Sequence, residues 1–204
     1  MELLTIHDKE QLISEIQALE LALGPAPLKN VEPTALSARD IDVVAVGSMV
    51  FRTDNSTVLV RRGETPREWV IPGGTVDEGE DLVGTAIRET REETGLETKI
   101  DALLRIGLAR DYGPQPFRKV NLARFGSERI NLLFVNFRSH EIGGQLDWSS
   151  DPGHNILEAR AFTDIPFHEI THVYKVLFVQ QQLYRGQLAN FPAVEFEPVR
   201  GSGR

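Results

Sequence analysis

The stretch GGTVDEGEDLVGTAIRETREETGLE, residues 73–97, decides the fold. A glycine turn leads into a helix predicted over Glu80–Thr94, and a glycine, the residue type expected just past a helix end, follows it directly. On a helical wheel, Glu89, Glu92 and Glu93 span about 100° and overlap one edge of the apolar face. We therefore expect these three glutamates to be partly buried.

Such a cluster of carboxylates needs an explanation. Carboxylates three and four residues apart repel by roughly 0.2–0.5 kcal/mol per pair, and partial burial raises that cost. One explanation is a solvated charged face in which Arg88 pairs with Glu92 one turn later. The other is a hard divalent cation, because carboxylates and a carbonyl of the preceding turn are the oxygen ligands that Mg²⁺ or Mn²⁺ prefers. The partial burial favours the metal.

The same residues resemble the Nudix box, the signature of hydrolases that act on nucleoside diphosphates linked to another moiety. The residues that match its fixed positions are Gly74, Glu80, Arg88, Glu89, Glu92, Glu93 and Gly95. Leu96 fits an apolar position, and Thr90 is a tolerated polar substitute at another. The lead-in WVIPGG, residues 69–74, extends the resemblance by one strand. A chance match of this kind arises in roughly one unrelated chain in a million, or fewer.

The resemblance implies a magnesium site and a role for each matching residue. In similar enzymes the glutamates matching Glu92 and Glu93 bind metal, and the one matching Glu89 binds metal or takes a proton from water. The residue matching Arg88 holds the cluster in place, and the carbonyl matching Gly73 completes the metal shell. The implied reaction is cleavage of a pyrophosphate bond by water, with Mg²⁺ as the cofactor and Mn²⁺ as a substitute.

The remaining patterns predict an α+β fold in which strands outnumber helices, consistent with the α/β/α sandwich and mixed sheet that the resemblance implies. Runs of β-branched and apolar residues predict strands at residues 41–51, 56–62, 67–74, 100–110, 129–139 and 156–163. A last helix is predicted over residues 167–184. We expect a Nudix domain at residues 41–190 and an extended tail at 191–204.

Residues 1–40 are predicted to form an N-terminal amphipathic helix and a proline-rich linker. Apolar residues at helical spacing run from Leu12 to Leu23, and Asp8 is the predicted N-cap. The apolar stripe needs a partner. It either caps the active site or forms a contact between two copies, so a homodimer is one expectation.

Composition excludes several function classes. The chain has 204 residues, a net charge of −8 and no cysteine. Disulfides, cysteine-bound zinc and thiol chemistry are therefore excluded, including that of isopentenyl diphosphate isomerases, which share the fold. The acidic balance argues against polymeric nucleic acid as a partner and leaves a small nucleotide-like diphosphate as the expected substrate. The absence of a signal peptide pattern and of a long apolar run predicts a cytoplasmic location and no membrane partner.

Two other functions compete with hydrolysis of a diphosphate. HEITH, residues 168–172, matches the H-E-x-x-H pattern of zinc metalloproteases through His168, Glu169 and His172. The apolar residues of that predicted helix place both histidines on its solvent side, and no third histidine follows. A non-catalytic nucleotide sensor is the other competitor. Such domains often lack one of the glutamates, whereas this chain keeps all three and shows no helix-turn-helix pattern.

Substrate contacts are predicted less sharply. Arg110–Arg129 has an excess of basic residues and is either a phosphate-facing loop, with Tyr112 and Arg118 as candidate contacts, or a solvated loop. Trp148 is a candidate either for stacking on a base or for partly buried packing. Arg62 either reaches a phosphate or is a solubilising charge at the strand edge.

A later loop of the chain offers alternative candidates for the general acid or base. In this family the base is sometimes a carboxylate outside the box. The stretch GGQLDWSSDPGHN, residues 143–155, offers Asp147 and Asp151 for this role. We count Asp151 among the candidate catalytic residues.

Overall fold

The computed structural model describes residues 4–63, 68–113, 117–153 and 155–170. The helices are α1 (Ile6–Leu23), α2 (Leu82–Thr94) and α3 (Phe117–Phe125). The strands are β1 (Leu28–Lys29), β2 (Val43–Phe51), β3 (Thr57–Arg62), β4 (Trp69–Val70), β5 (Gly73–Thr75), β6 (Leu96–Tyr112), β7 (Ile130–Gly144) and β8 (Ile156–Phe162). Short 3₁₀ turns occupy Pro33–Ala35, Ala38–Asp40 and Phe167–Glu169.

The strands form one mixed sheet, as predicted. Its order is β1-β6-β7-β2-β3-β4, with β5 paired to β2 and β8 paired to β3. β2 runs parallel to β7, whereas β6 and β7 are antiparallel to each other. The pairing of β5 with β2 sets Gly73 opposite Gly47 and Gly74 opposite Val46. This pairing fixes the glycine turn on the sheet directly before α2.

The main hydrophobic core joins α1 and α2 to the sheet. Its buried side chains include Ile16 of α1, Leu82 and Ala86 of α2, and Val46 and Val135 of the sheet. A second cluster surrounds Trp69, which is 1% exposed, as expected for a core residue ahead of the glycine turn. None of the helices in the described part of the chain combines the length and the apolarity needed to cross a bilayer.

The N-terminal helix begins earlier than predicted. Its N-cap is Thr5, not Asp8, because the Thr5 hydroxyl accepts a hydrogen bond from the Asp8 amide while the Asp8 carboxylate accepts one from the Thr5 amide. This reciprocal capping box satisfies two backbone donors at once. Leu12 and Ile16 are buried in the chain's own core, so this part of the apolar stripe already has its partner.

Other expectations change as well. α2 begins at Leu82 rather than at Glu80, and the strand predicted over residues 67–74 is divided into β4 and β5. The segment Arg110–Arg129, expected to be a loop, contains helix α3. β6 and β7 extend beyond their predicted ends because they pair with each other along most of their length. Of the last predicted helix, Phe167–Glu169 is a 3₁₀ turn and Ile170 is extended, while residues 171–184 lie outside the described residues, as does the predicted tail.

Candidate active site

The glycine turn and α2 are placed so that the Glu89 carboxylate, on α2, lies against the backbone of the turn. α2 begins at an N-cap, Asp81, whose carboxylate accepts a hydrogen bond from the Gly84 amide, and it ends at Gly95, which has φ 72°. A β-carbon added at Gly74 would lie 2.3 Å from a carboxylate oxygen of Glu89. Only glycine therefore allows Glu89 to lie so close to the turn.

Glu93 is the most buried acid of the cluster, with 5% of its surface exposed. Its carboxylate accepts hydrogen bonds from the Gly73 amide at 2.9 Å and from Nη2 of Arg62 at 2.8 Å. The same Arg62 nitrogen also donates to the Gly73 carbonyl oxygen. Burial raises the pKa of Glu93 to about 7, although the Arg62 charge and the Gly73 amide act in the opposite direction.

Arg88 connects the other three glutamates. Its Nε and Nη2 donate to the two carboxylate oxygens of Glu80 at 2.6 and 2.8 Å. Its Nη1 donates to Glu89 at 2.9 Å and to Glu92 at 3.0 Å, which confirms the predicted Arg88–Glu92 pair. The two parallel bonds from Arg88 are the main reason why the pKa of Glu80 is lowered. Glu80 is thus the carboxylate that orients Arg88.

The cluster carries more negative than positive charge. Burial raises the pKa of Glu89 despite the neighbouring Arg88. Four carboxylates, from Glu80, Glu89, Glu92 and Glu93, are paired with two guanidinium groups. When all are ionised, a formal excess of two negative charges remains, which matches the charge of one divalent cation.

The donor atoms of the cluster also suit a hard cation, since carboxylates and the Gly73 carbonyl are all oxygen ligands. Within the described ranges, no three acidic or histidine side chains are already arranged as a group of metal ligands. Instead, Glu93 is paired with Arg62 beside the turn, while Glu89 and Glu92 are both paired with Arg88.

An open cleft runs along the outer side of α2. It is bordered on one side by Arg88, Arg91 and Glu92 and on the other by the loop that contains Gln145 and Asp147. Of the two candidate carboxylates in this loop, Asp147 thus shares the cleft with Glu92. Its pKa is lowered by hydrogen bonds from the Ser149 amide and hydroxyl.

Asp151 has a different place. It is 8% exposed, and its carboxylate accepts hydrogen bonds from the amides of Gly153, Asn155 and Ile156. These bonds shape the loop that leads into β8. The carboxylate oxygens are engaged by the backbone, which does not favour the catalytic role expected from the sequence.

Comparison with known proteins identifies the family. The family model described as NUDIX domain matches residues 42–163. The chain belongs to the Nudix family. It is 38% identical over 92 residues to Nucleoside diphosphate-linked moiety X motif 6 of Xenopus laevis, a match that covers 44% of this chain and 42% of the relative. It is 35% identical over 110 residues to an ADP-ribose pyrophosphatase of Methanocaldococcus jannaschii, covering 53% of this chain and 56% of the relative.

The chain therefore spans about half the length of the curated relatives that it matches. Among solved structures, a NUDIX hydrolase from Nitrosomonas europaea superposes with a TM-score of 0.52 at 24% identity. That match covers 71% of this chain and 73% of the other. It supports the Nudix fold, including the α+β sandwich with a mixed sheet.

The predicted substrate residues lie in different parts of this Nudix domain. Arg62 is part of the glutamate cluster, where it holds Glu93 and the Gly73 carbonyl, a role that the sequence did not indicate. At the C-terminal end of β6, the ring of Tyr112 packs against that of Phe117, with ring centroids 5.9 Å apart. Nε of Arg118 donates to the Gly113 carbonyl at 2.9 Å, which fixes α3 to the end of β6. Trp148 is 36% exposed.

The histidine motif does not form a zinc site in the part that the structure describes. The His168 side chain is 82% exposed, as predicted for the solvent side. Glu169 forms an ion pair with Arg61 at 2.9 Å. His172 lies outside the described residues.

Proposed function

We propose that this chain is a divalent-metal-dependent Nudix hydrolase that cleaves a pyrophosphate bond in a nucleoside diphosphate linked to another moiety. The observation that carries the proposal is the charge balance of the cluster, where four carboxylates are paired with two arginines beside the glycine turn. A family match over residues 42–163 and a relative named ADP-ribose pyrophosphatase support it.

The residues that would hold the metal are Glu89, Glu92, Glu93 and the Gly73 carbonyl. Mg²⁺ is the proposed ion and Mn²⁺ its substitute, because both prefer oxygen ligands. When bound, the ion supplies an activated water and offsets charge on the phosphoryl oxygens. Arg62 donates hydrogen bonds to both Glu93 and the Gly73 carbonyl, so it holds two of the proposed metal ligands next to each other.

The remaining residues position the cluster and handle the proton. Arg88 fixes the spacing of Glu89 and Glu92 through one nitrogen, while its other two nitrogens are held by Glu80. Glu89 is the proposed acceptor of the proton from water, as the resemblance implies for this position. Burial raises its pKa, whereas the Glu93 carboxylate already accepts from Arg62 and the Gly73 amide. A positioned general base contributes typically about 10²- to 10⁴-fold to the rate.

A carboxylate from the loop after β7 is proposed to order water or cations near the cluster. Asp147 is favoured over Asp151, because Asp147 borders the cleft along α2 whereas the Asp151 oxygens accept three backbone amides. The lowered pKa of Asp147 keeps it ionised at neutral pH. It is therefore suited to order water or cations in the cleft rather than to take a proton.

The proposed substrates are small: ADP-ribose, nucleotide sugars, dinucleoside polyphosphates or nucleoside triphosphates, rather than polymeric nucleic acid. The test is a panel of these compounds with Mg²⁺, Mn²⁺ or Zn²⁺, in which release of the phosphorylated products is followed by chromatography. Mg²⁺-dependent cleavage of at least one compound is expected. Binding of the compounds without cleavage would instead support a nucleotide sensor. A peptide substrate is assayed on the same samples, and its Zn²⁺-dependent cleavage would support the metalloprotease.

Two further expectations stay predictions. The cytoplasmic location is one, and the homodimer is the other. Sedimentation of the purified chain measures the second directly.

A further inference from the structure

The N-terminal helix contacts the helix that carries the glutamate cluster. Both carboxylate oxygens of Glu15, on α1, lie 3.1 Å from the amide nitrogen of Leu82, the first residue of α2. α1 lies outside residues 42–163, the part matched by the family model. We propose that Glu15 is a positioning residue for the glutamate cluster, acting by fixing the start of α2. This inference rests on the proposed function.

The contact satisfies a group that the helix itself cannot. The first four amides of an α-helix have no intrahelical acceptor. Asp81 accepts from the Gly84 amide, and Glu15 accepts from the Leu82 amide, so two carboxylates from different parts of the chain cap the first turn of α2. Negative charge is also favoured at this end of a helix.

Glu15 is held in place by the packing of α1. Leu12, one turn before Glu15, is 3% exposed, and Ile16, which directly follows Glu15, is 0% exposed. Nζ of Lys9 donates to the Ile41 carbonyl at 2.7 Å in a buried contact, which ties α1 to the start of β2. α1 therefore presents the Glu15 carboxylate from a fixed surface rather than from a mobile segment.

A short chain of contacts leads from Leu82 to the cluster. Glu80 lies two residues before Leu82 and binds two nitrogens of Arg88. The third nitrogen of Arg88 holds Glu89 and Glu92. We therefore expect a shift of the backbone at Leu82 to move Glu80, and with it Arg88 and the carboxylates that Arg88 holds. Substitution of partners that orient metal ligands typically costs about 10- to 100-fold in affinity or activity. Glu15 acts one contact further away, so a smaller loss is expected.

The test compares Glu15→Ala and Glu15→Gln with Glu10→Ala, which removes an exposed glutamate from the same helix. Three quantities are measured below the melting temperature of each variant: the Mn²⁺ dissociation constant, kcat on the best substrate of the panel, and the NMR signal of Arg88 Nε–H, assigned with Arg88→Lys. Glu15→Ala is expected to raise the dissociation constant and lower kcat about threefold to tenfold, and to shift the Arg88 signal. Glu15→Gln keeps an acceptor oxygen and should recover part of each effect.

Glu10→Ala should match the wild type in all three quantities. The inference is overturned if Glu15→Ala lowers only the melting temperature and leaves the Arg88 signal unchanged, since the cap would then be merely structural. If Glu15→Ala does not fold, Glu15→Gln decides by the same signal. A wild type that neither binds Mn²⁺ nor hydrolyses any compound would refute the proposed function, while the Arg88 signal would still test the positioning.

Discussion

A single methyl group at Gly74 should displace the proposed base. The added β-carbon would lie 2.3 Å from a Glu89 oxygen, whereas ordinary contacts begin at 3.4 Å, so the carboxylate must move by about 1 Å. Gly74 does not have a positive φ, so the backbone accepts alanine and the effect comes from this contact alone. A misplacement of about 1 Å costs on the order of 10²-fold in rate. Gly74→Ala should therefore lose about that much kcat/KM.

The matched control is Gly63→Ala, where the nearest atom would lie 3.5 Å from the added carbon. The assay follows Mg²⁺-dependent hydrolysis of the best substrate, with thermal melting by circular dichroism on both variants. Gly63→Ala should keep wild-type kcat/KM. Because the atoms that must move belong to the end of a flexible side chain, Gly74→Ala should leave the domain folded at the assay temperature. A Gly74→Ala variant with wild-type kcat/KM would refute the placement of Glu89 at the reacting centre.

Two other predictions follow from the same cluster, and a third concerns the histidine motif. Burial raises the pKa of Glu93 to about 7, so a proton competes with the metal for this carboxylate below that pH. Mn²⁺ affinity, measured by calorimetry, should therefore fall about tenfold from pH 8 to pH 6. An affinity that does not change with pH would contradict this. Arg88→Lys cannot make two parallel hydrogen bonds to Glu80, so kcat should fall about 10- to 100-fold. Wild-type kinetics in this variant would show that the paired hydrogen bonds to Glu80 are dispensable. His168→Ala should leave hydrolysis unchanged, because the side chain is 82% exposed; a loss of activity would revive the zinc interpretation.

Local spacing was enough to predict the burial and pairing of the glutamates on α2. The helical wheel placed Glu93 at the edge of the apolar face, and it is buried. The i, i+4 spacing predicted the Arg88–Glu92 pair, and the glycine after α2 has the left-handed conformation of a helix cap. These features depend on residues within one or two turns of each other, so the sequence contains most of the necessary information.

Features set by distant parts of the chain could not be predicted in the same way. Arg62, on β3, and Glu93, on α2, are 31 positions apart in the sequence. Their pairing depends on how β3, β5 and α2 come together around β2. The lengths of β6 and β7 depend on their mutual pairing rather than on their own β-propensity. The contact between Glu15 and Leu82, 67 positions apart, required the docking of α1.

The proposed function depends on a metal that the buried carboxylates bind and that supports cleavage of a phosphoanhydride. The most direct measurement is ³¹P NMR of substrate turnover by Glu93→Gln with Mg²⁺, beside Glu97→Gln, the same change at an exposed glutamate just after the box. Glu93→Gln is expected to lose about 10²-fold or more, because a metal ligand is removed, while remaining folded, and Glu97→Gln should turn over like the wild type. Equal turnover by the two variants would show that Glu93 holds no metal that the reaction needs.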